Sequence, residues 1–188
     1  MTVFIKPGVE NTEATLRTAL QKAAEQNMPM VVASNTGTTV ETLLQLQKET
    51  GLSVPIVMVG QVHGFAKPGT VALTDEMRAK LEAAGVKIIL AAHALSGAER
   101  SISRKFGGVY PAELVAASLR MFSQGTKVCV EIGMMAMDCG ALAYGKPVVA
   151  VGGTGRGADT VCILTPSYTA DFLGTKIHEI LCKPGLYE

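Results

Sequence analysis

The chain has 188 residues, of which 48% are hydrophobic and 18% charged, a balance that excludes disorder and suffices to bury a core without disulfides or metals. Lys and Arg number 17 against 16 Asp and Glu, for a net charge of +1. The densest basic stretch, Arg100 to Lys105, holds three of those charges, so no nucleic-acid partner is expected.

In chain order, Asn11 and Thr12 can cap a helix whose apolar face is Leu16, Ala19, Leu20, Ala23 and Ala24. Pro29 interrupts it, and Met30 to Ala33 reads as a buried strand. A helix follows Gly37, with Val40, Leu43, Leu44 and Gln47 on one face; Val54 to Val59 is the next strand. Thr74, Asp75 and Glu76 start a third helix that Gly85 ends, and Val86 to Ala92 is again a strand. Residues 93–109 show no clean period and read as a long irregular segment, either functional or mobile. Tyr110 and Pro111 then open a helix. Lys127 to Ile132 is expected as a strand, Gly133 to Tyr144 as a helix, and Pro147 to Val151 and Thr160 to Leu164 as strands. Leu173 to Cys182 fits either a helix or an edge strand.

Repeated strand–helix–strand units imply one α/β domain over 1–188, a three-layer α/β/α stack on a mostly parallel sheet. The connection between the strands at 147–151 and 160–164 is too short for a parallel crossover, so one terminal strand is expected to run antiparallel. No apolar run reaches the length of a membrane span, and the first residues carry no secretory signal. A cytoplasmic protein with no membrane partner is therefore expected. The four cysteines are far apart with no C-x-x-C pair, which favours buried free thiols. The low charged fraction favours a homo-oligomer.

Two segments carry the chemistry. Ser34, Asn35, Thr36, Gly37, Thr38 and Thr39 follow a buried strand and open a helix. Unpaired N–H groups and the positive helix end point at such a turn, which serves equally as a phosphate cradle or as an ordinary cap. The second segment is the glycine-rich loop Gly152, Gly153, Thr154, Gly155, Arg156, Gly157, Ala158 and Asp159. It lacks the Lys-Ser/Thr of a P-loop and the spacing of the dinucleotide fingerprint. A tight strand connection needs one or two glycines; four point to a ligand. Arg156 is suited to clamping a phosphate or stacking on a ring. Asp159 can accept from a ribityl or ribose hydroxyl, a pyrimidine N–H or a backbone amide.

His93 and Ser96 lie just beyond a strand end, where a histidine is either a proton-transfer group or a satisfied structural residue. His63 carries the same alternatives, and His178 is expected to face solvent. Glu131, inside an apolar run, either reaches the crevice or is buried and paired. The methionines around Met135 fill core gaps, a subunit contact or a pocket wall. No spacing matches a metal site or a nucleophile elbow, and no catalytic residue is assigned.

These segments resemble a known family, the stand-alone proteins built like the C-terminal alpha/beta domain of pyruvate kinase. The similarity covers nearly the whole chain. It rests on Lys6-Pro7-Gly8 with Asn11-Thr12, Val31 to Ser34 leading into Thr36-Gly37, and His93 to Gly97. Lys127-Val128 with Glu131-Ile132, Met135-Ala136 with Asp138 and Gly140, and above all Gly152 to Asp159 complete it. In pyruvate kinase the corresponding Thr/Ser-Gly loop holds an effector phosphate; Thr38 stands where that loop often has an arginine. For the stand-alone proteins the resemblance implies bound flavin mononucleotide (FMN), with its phosphate on Ser34 to Thr39 and its ring near 93–97 and the glycine-rich loop. It implies no pyruvate kinase activity, since the catalytic barrel has no counterpart in this sequence. The expected function is binding of a phosphorylated small molecule, FMN first, with the reaction unassigned. The alternative is a regulatory or sensor module for a phosphorylated metabolite or nucleotide, without redox chemistry.

Overall fold

The computed structural model describes residues 1–185. Its strands are β1 (Thr2–Phe4), β2 (Met30–Ala33), β3 (Ile56–Gln61), β4 (Lys87–Ala91), β5 (Val148–Gly152), β6 (Thr160–Thr165) and β7 (Lys176–Pro184). Its helices are α1 (Thr12–Glu25), α2 (Thr38–Thr50), α3 (Asp75–Ala83), α4 (Gly97–Phe106), α5 (Pro111–Arg120) and α6 (Gln124–Asp138). Short 3-10 turns occupy Val9–Asn11 and Thr169–Gly174.

The described strands form one sheet in the order β1-β7-β6-β5-β2-β3-β4. Pairing is parallel except where β6 meets β5 and β7, so β6 alone is reversed, as the short 153–159 connection requires. Alternate residues of the central strands feed two cores. Met30, Val32, Met58, Val149 and Val151 pack with Leu16, Leu20, Val40, Leu43 and Leu81 of α1–α3. Val31, Val57, Val59, Val148 and Ala150 pack with Ala116, Cys129, Ile132 and Met134 of α5 and α6. The steps from β2 to β3 to β4 use helices on the first face. The return to β5 uses those on the second, as a single crossover handedness requires. The direction of winding reverses between β2 and β5.

Several expectations are corrected. Lys127 to Ile132 is not a strand but part of α6, which ends at Asp138 instead of continuing to Tyr144. This helix is buried on nearly every side, so it carries no amphipathic period and its apolar run mimics a core strand. Ser123 caps it, its hydroxyl accepting from Thr126 N–H at 2.9 Å. Gly125, Cys129 and Gly133 form a narrow stripe toward the sheet; a Cβ on Gly125 would stand 2.1 Å from Thr160 Oγ1. Residues 97–106, expected as irregular, form α4, whose residues are all outside the core. The tail resolves into a 3-10 turn and β7. Asn11 sits at the start of α1, but its side chain donates to Lys6 O at 2.8 Å and caps nothing. Cys129, Cys162 and Cys182 are buried free thiols, whereas Cys139 is exposed. Burial pushes Cys182 up to about 11, and burial, then Cys162, raises Cys129. Among the described residues no helix is long and apolar enough to cross a membrane.

Candidate functional site

β2 and β5 are parallel neighbours, with Val32 opposite Val151. Ser34 and Gly153 therefore leave the sheet side by side at its carboxyl rim, at the winding reversal where α/β sheets open a crevice.

On the β2 side, Gly37 adopts φ 90° and leads into α2. That left-handed conformation suits glycine, and Met77 Cγ would lie 2.5 Å from any Cβ there. The turn spends part of its polar capacity on itself. Gly37 N–H donates to Ser34 Oγ at 3.1 Å, and Gln61 N–H donates to Asn35 Oδ1 at 3.2 Å. Thr36 and Thr38 hydroxyls lie 2.9 Å apart on the exposed side. No side chain caps α2, so the N–H groups of its first turn, at Thr38 and Thr39, carry the positive end of the helix to the rim.

On the β5 side, the glycine-rich loop is partly closed by its own packing. A Cβ on Gly153 would stand 2.5 Å from Gly157 O, and one on Gly157 would stand 2.2 Å from Thr12 Oγ1. Ala158 N–H donates to Thr12 Oγ1 at 3.0 Å. Asp159 is fully buried. Its Oδ2 accepts from Thr154 N–H at 3.1 Å and Gly8 N–H at 3.3 Å, and its Oδ1 accepts from the Thr160 hydroxyl at 2.8 Å. Of the acceptor roles the sequence left open for Asp159, the backbone-amide role is the one realised. Gly155, with open space around it, and Arg156 stay at the exposed tip.

His93 and Ser96 lie beyond β4, on the other flank of the Ser34 turn. At about 4.8 Å per strand, β4 is roughly 10 Å from β2, and β5 lies on the opposite side. The 93–97 turn and the glycine-rich loop thus leave the sheet on opposite flanks of the Ser34 turn. The His93 ring lies 4.6 Å from that of Phe65, and the Arg100 guanidinium 5.6 Å from the Phe65 centroid. Burial lowers the His93 pKa, against an upward pull from Glu131, while Lys127 and Arg100 push it down further.

Beneath this turn sits a group that sequence reasoning missed as a unit. Lys127 and Glu131, 4% and 2% exposed, form a salt bridge one helical turn apart on α6. Glu131 Oε1 accepts from Leu95 N–H at 3.0 Å. Burial pushes the Lys127 pKa down, and Glu131 offsets this. The signal was present as opposite charges at i and i+4 within an apolar run, a helical spacing that a strand assignment hides. Phe65 was also missed, since nothing marks it before β3 is placed, and Thr12, read as a cap and as part of the resemblance, was not expected to meet the glycine-rich loop. Asp138 lies at the end of α6 away from the rim turns, accepting from Thr169 N–H at 3.0 Å. His63 and His178 are exposed, the latter bonded to the Thr165 hydroxyl at 2.8 Å. Among the described residues no group of three His, Cys, Asp or Glu gathers to hold a metal.

Fold and rim together define a three-layer α/β protein that presents glycine- and hydroxyl-rich turns at its winding reversal. More particularly, the chain belongs to the pyruvate kinase alpha/beta domain family, whose family model matches residues 13–164. That span runs from α1 into β6 and includes both turns and the buried ion pair.

Proposed function

We propose that this protein binds a phosphorylated small molecule in the crevice between the Ser34–Thr39 turn and the tip of the 153–159 loop, and that the ligand is FMN. The observation that carries the reading is the juxtaposition of an α2 start without a side-chain cap and the Arg156 loop on adjacent parallel strands. The phosphate would take the first-turn N–H groups and hydroxyls of Thr36 and Thr38, with Arg156 closing over it. The flavin ring would lie on the β3–β4 side, where Phe65 and His93 supply aromatic surface. FMN would supply hydride or electron transfer when bound; these side chains bind and orient it. No reaction is assigned.

Buried Asp159 favours a second reading. Its carboxylate is committed to Gly8, Thr154 and Thr160, and so offers nothing to a sugar or ribityl hydroxyl. A smaller phosphorylated metabolite without a sugar, held without redox chemistry, fits that constraint; a nucleotide fits it only where groups other than Asp159 hold its ribose. Self-association is part of the proposal, with Phe106, Val109, Leu114, Met121 and Phe122 exposed on and beside α4 and α5.

A thermal-shift panel of FMN, nucleotides and sugar phosphates tests both readings. Ligand at a hundred times its Kd stabilises by about 2.7 kcal/mol, which raises Tm by roughly 5–10 °C in a chain of this size. A shift with FMN and a yellow preparation support the first reading. A shift only with other phosphates supports the second, and no shift with any of them removes both.

A further inference from the structure

The loop after β4 and the helix that follows are held to the body by very little. Leu95 is the one buried side chain between Ala92 and Phe106. α4 adds polar straps to α5, with Ser103 Oγ donating to Glu113 at 2.7 Å and Ala112 N–H donating to Glu99 at 3.1 Å. Beside the contacts of His93 and Arg100 with Phe65, the backbone attachment is Leu95 N–H on the Glu131 carboxylate, whose other oxygen is taken by Lys127. Replacing a buried ion pair by apolar residues is often neutral or stabilising, so stability gives a weak account of this one. Its geometry gives a better one. A carboxylate with one oxygen on α6 and the other on a rim turn fixes the turn against the helix. Neutralisation by Lys127 lets that carboxylate stay charged in the core.

We propose that Lys127 and Glu131 are positioning residues that fix the 93–97 turn and hold His93 against Phe65 on the ligand-facing rim. This rests on the rim reading above for the word ligand, but the positioning itself is measurable without one. The charged groups around His93 are Glu131 and Lys127 of α6 and Arg100 of α4, with Phe65 as its aromatic neighbour. Arg120 adds a further positive field at Lys127.

The test compares two uncharged pairs, Lys127→Met with Glu131→Gln and Lys127→Met with Glu131→Leu. Neither leaves a buried charge alone, and they differ in whether an acceptor remains for Leu95 N–H. Both are checked for folding by circular dichroism. In the Gln pair, Leu95 amide exchange is expected within tenfold of the parent protein. In the Leu pair it is expected to speed up at least 100-fold, and the His93 imidazole titration, followed by NMR, is expected to move up toward the free-imidazole value. A pair that served stability alone would shift Tm and leave the His93 titration equal in the two variants. Equal Leu95 protection, or equal His93 titration, overturns the proposal.

FMN titration of the same proteins separates the two layers. A tenfold or greater weakening in the Leu pair relative to the Gln pair supports both. Equal FMN affinity in the two pairs overturns the positioning role at that site. If the parent protein binds no FMN while the Leu95 and His93 contrasts are present, the positioning stands and the FMN assignment falls.

Discussion

Thr38 distinguishes a cap from a ligand cradle at the resolution of one side chain. It is the first residue of α2, exposed, and its hydroxyl faces that of Thr36. An aspartate there would sit at the positive helix end and stabilise the fold by about 0.3–1 kcal/mol. The same carboxylate would repel a bound phosphate. Thr38→Asp is therefore expected to raise the urea midpoint slightly while weakening FMN or phosphate-ester binding at least tenfold by titration. Unchanged affinity would reduce this turn to a helix start. Gly37 beside it is constrained twice, by its φ and by Met77, so its presence does not by itself speak for a ligand.

At the scale of elements, α6 is where charge and packing meet. Lys127→Met alone leaves Glu131 charged in the core and is expected to cost about 3–5 kcal/mol in chemical denaturation. Adding Glu131→Leu is expected to recover most of that loss, because the second change removes the unpaired charge. A double variant as unstable as the single one would mean that the pair supports the core by more than its own neutralisation. The turn above it has a pH signature. Burial depresses the folded-state pKa of His93 below its ordinary 6.5, so the unfolded chain takes up the proton first as pH falls. The His93 contribution to stability is fully present above about pH 6.5 and is lost as pH falls through the lowered folded value. The stability advantage of the parent over His93→Gln is expected to shrink between pH 7.5 and pH 5, as read from urea midpoints at each pH.

For the molecule as a whole, the N-terminal segment braces the 153–159 loop from outside the core. β1 pairs with β7, Gly8 N–H reaches Asp159, and Thr12 receives Ala158 N–H. Each bond spans most of the chain, so the loop between β5 and β6 takes its shape from residues that precede β2. Removing residues 1–8 is expected to leave the β2–β5 centre folded but to expose the 153–158 loop to protease and to weaken any ligand held by Arg156. Limited proteolysis of the shortened and full chains reads this directly. Equal cleavage rates would show that the loop is rigid without its N-terminal partner.

The sequence by itself determined the α/β class, the reversal near residue 160 and the two rim turns. Each of these follows from local chemistry: short apolar runs between amphipathic helices, a connection too short to cross a sheet, and glycines with hydroxyls after a strand. The family resemblance drawn from those turns agrees with the domain match over 13–164. Tertiary structure alone decided α6, α4 and the use of Asp159. A helix buried on nearly every side leaves no period to read, and in α4 the short apolar row Ala98, Ile102 and Phe106 lies outside both cores, so no packing marks it. A carboxylate's partners depend on which distant backbone folds over it, here Gly8, and no local spacing encodes that approach.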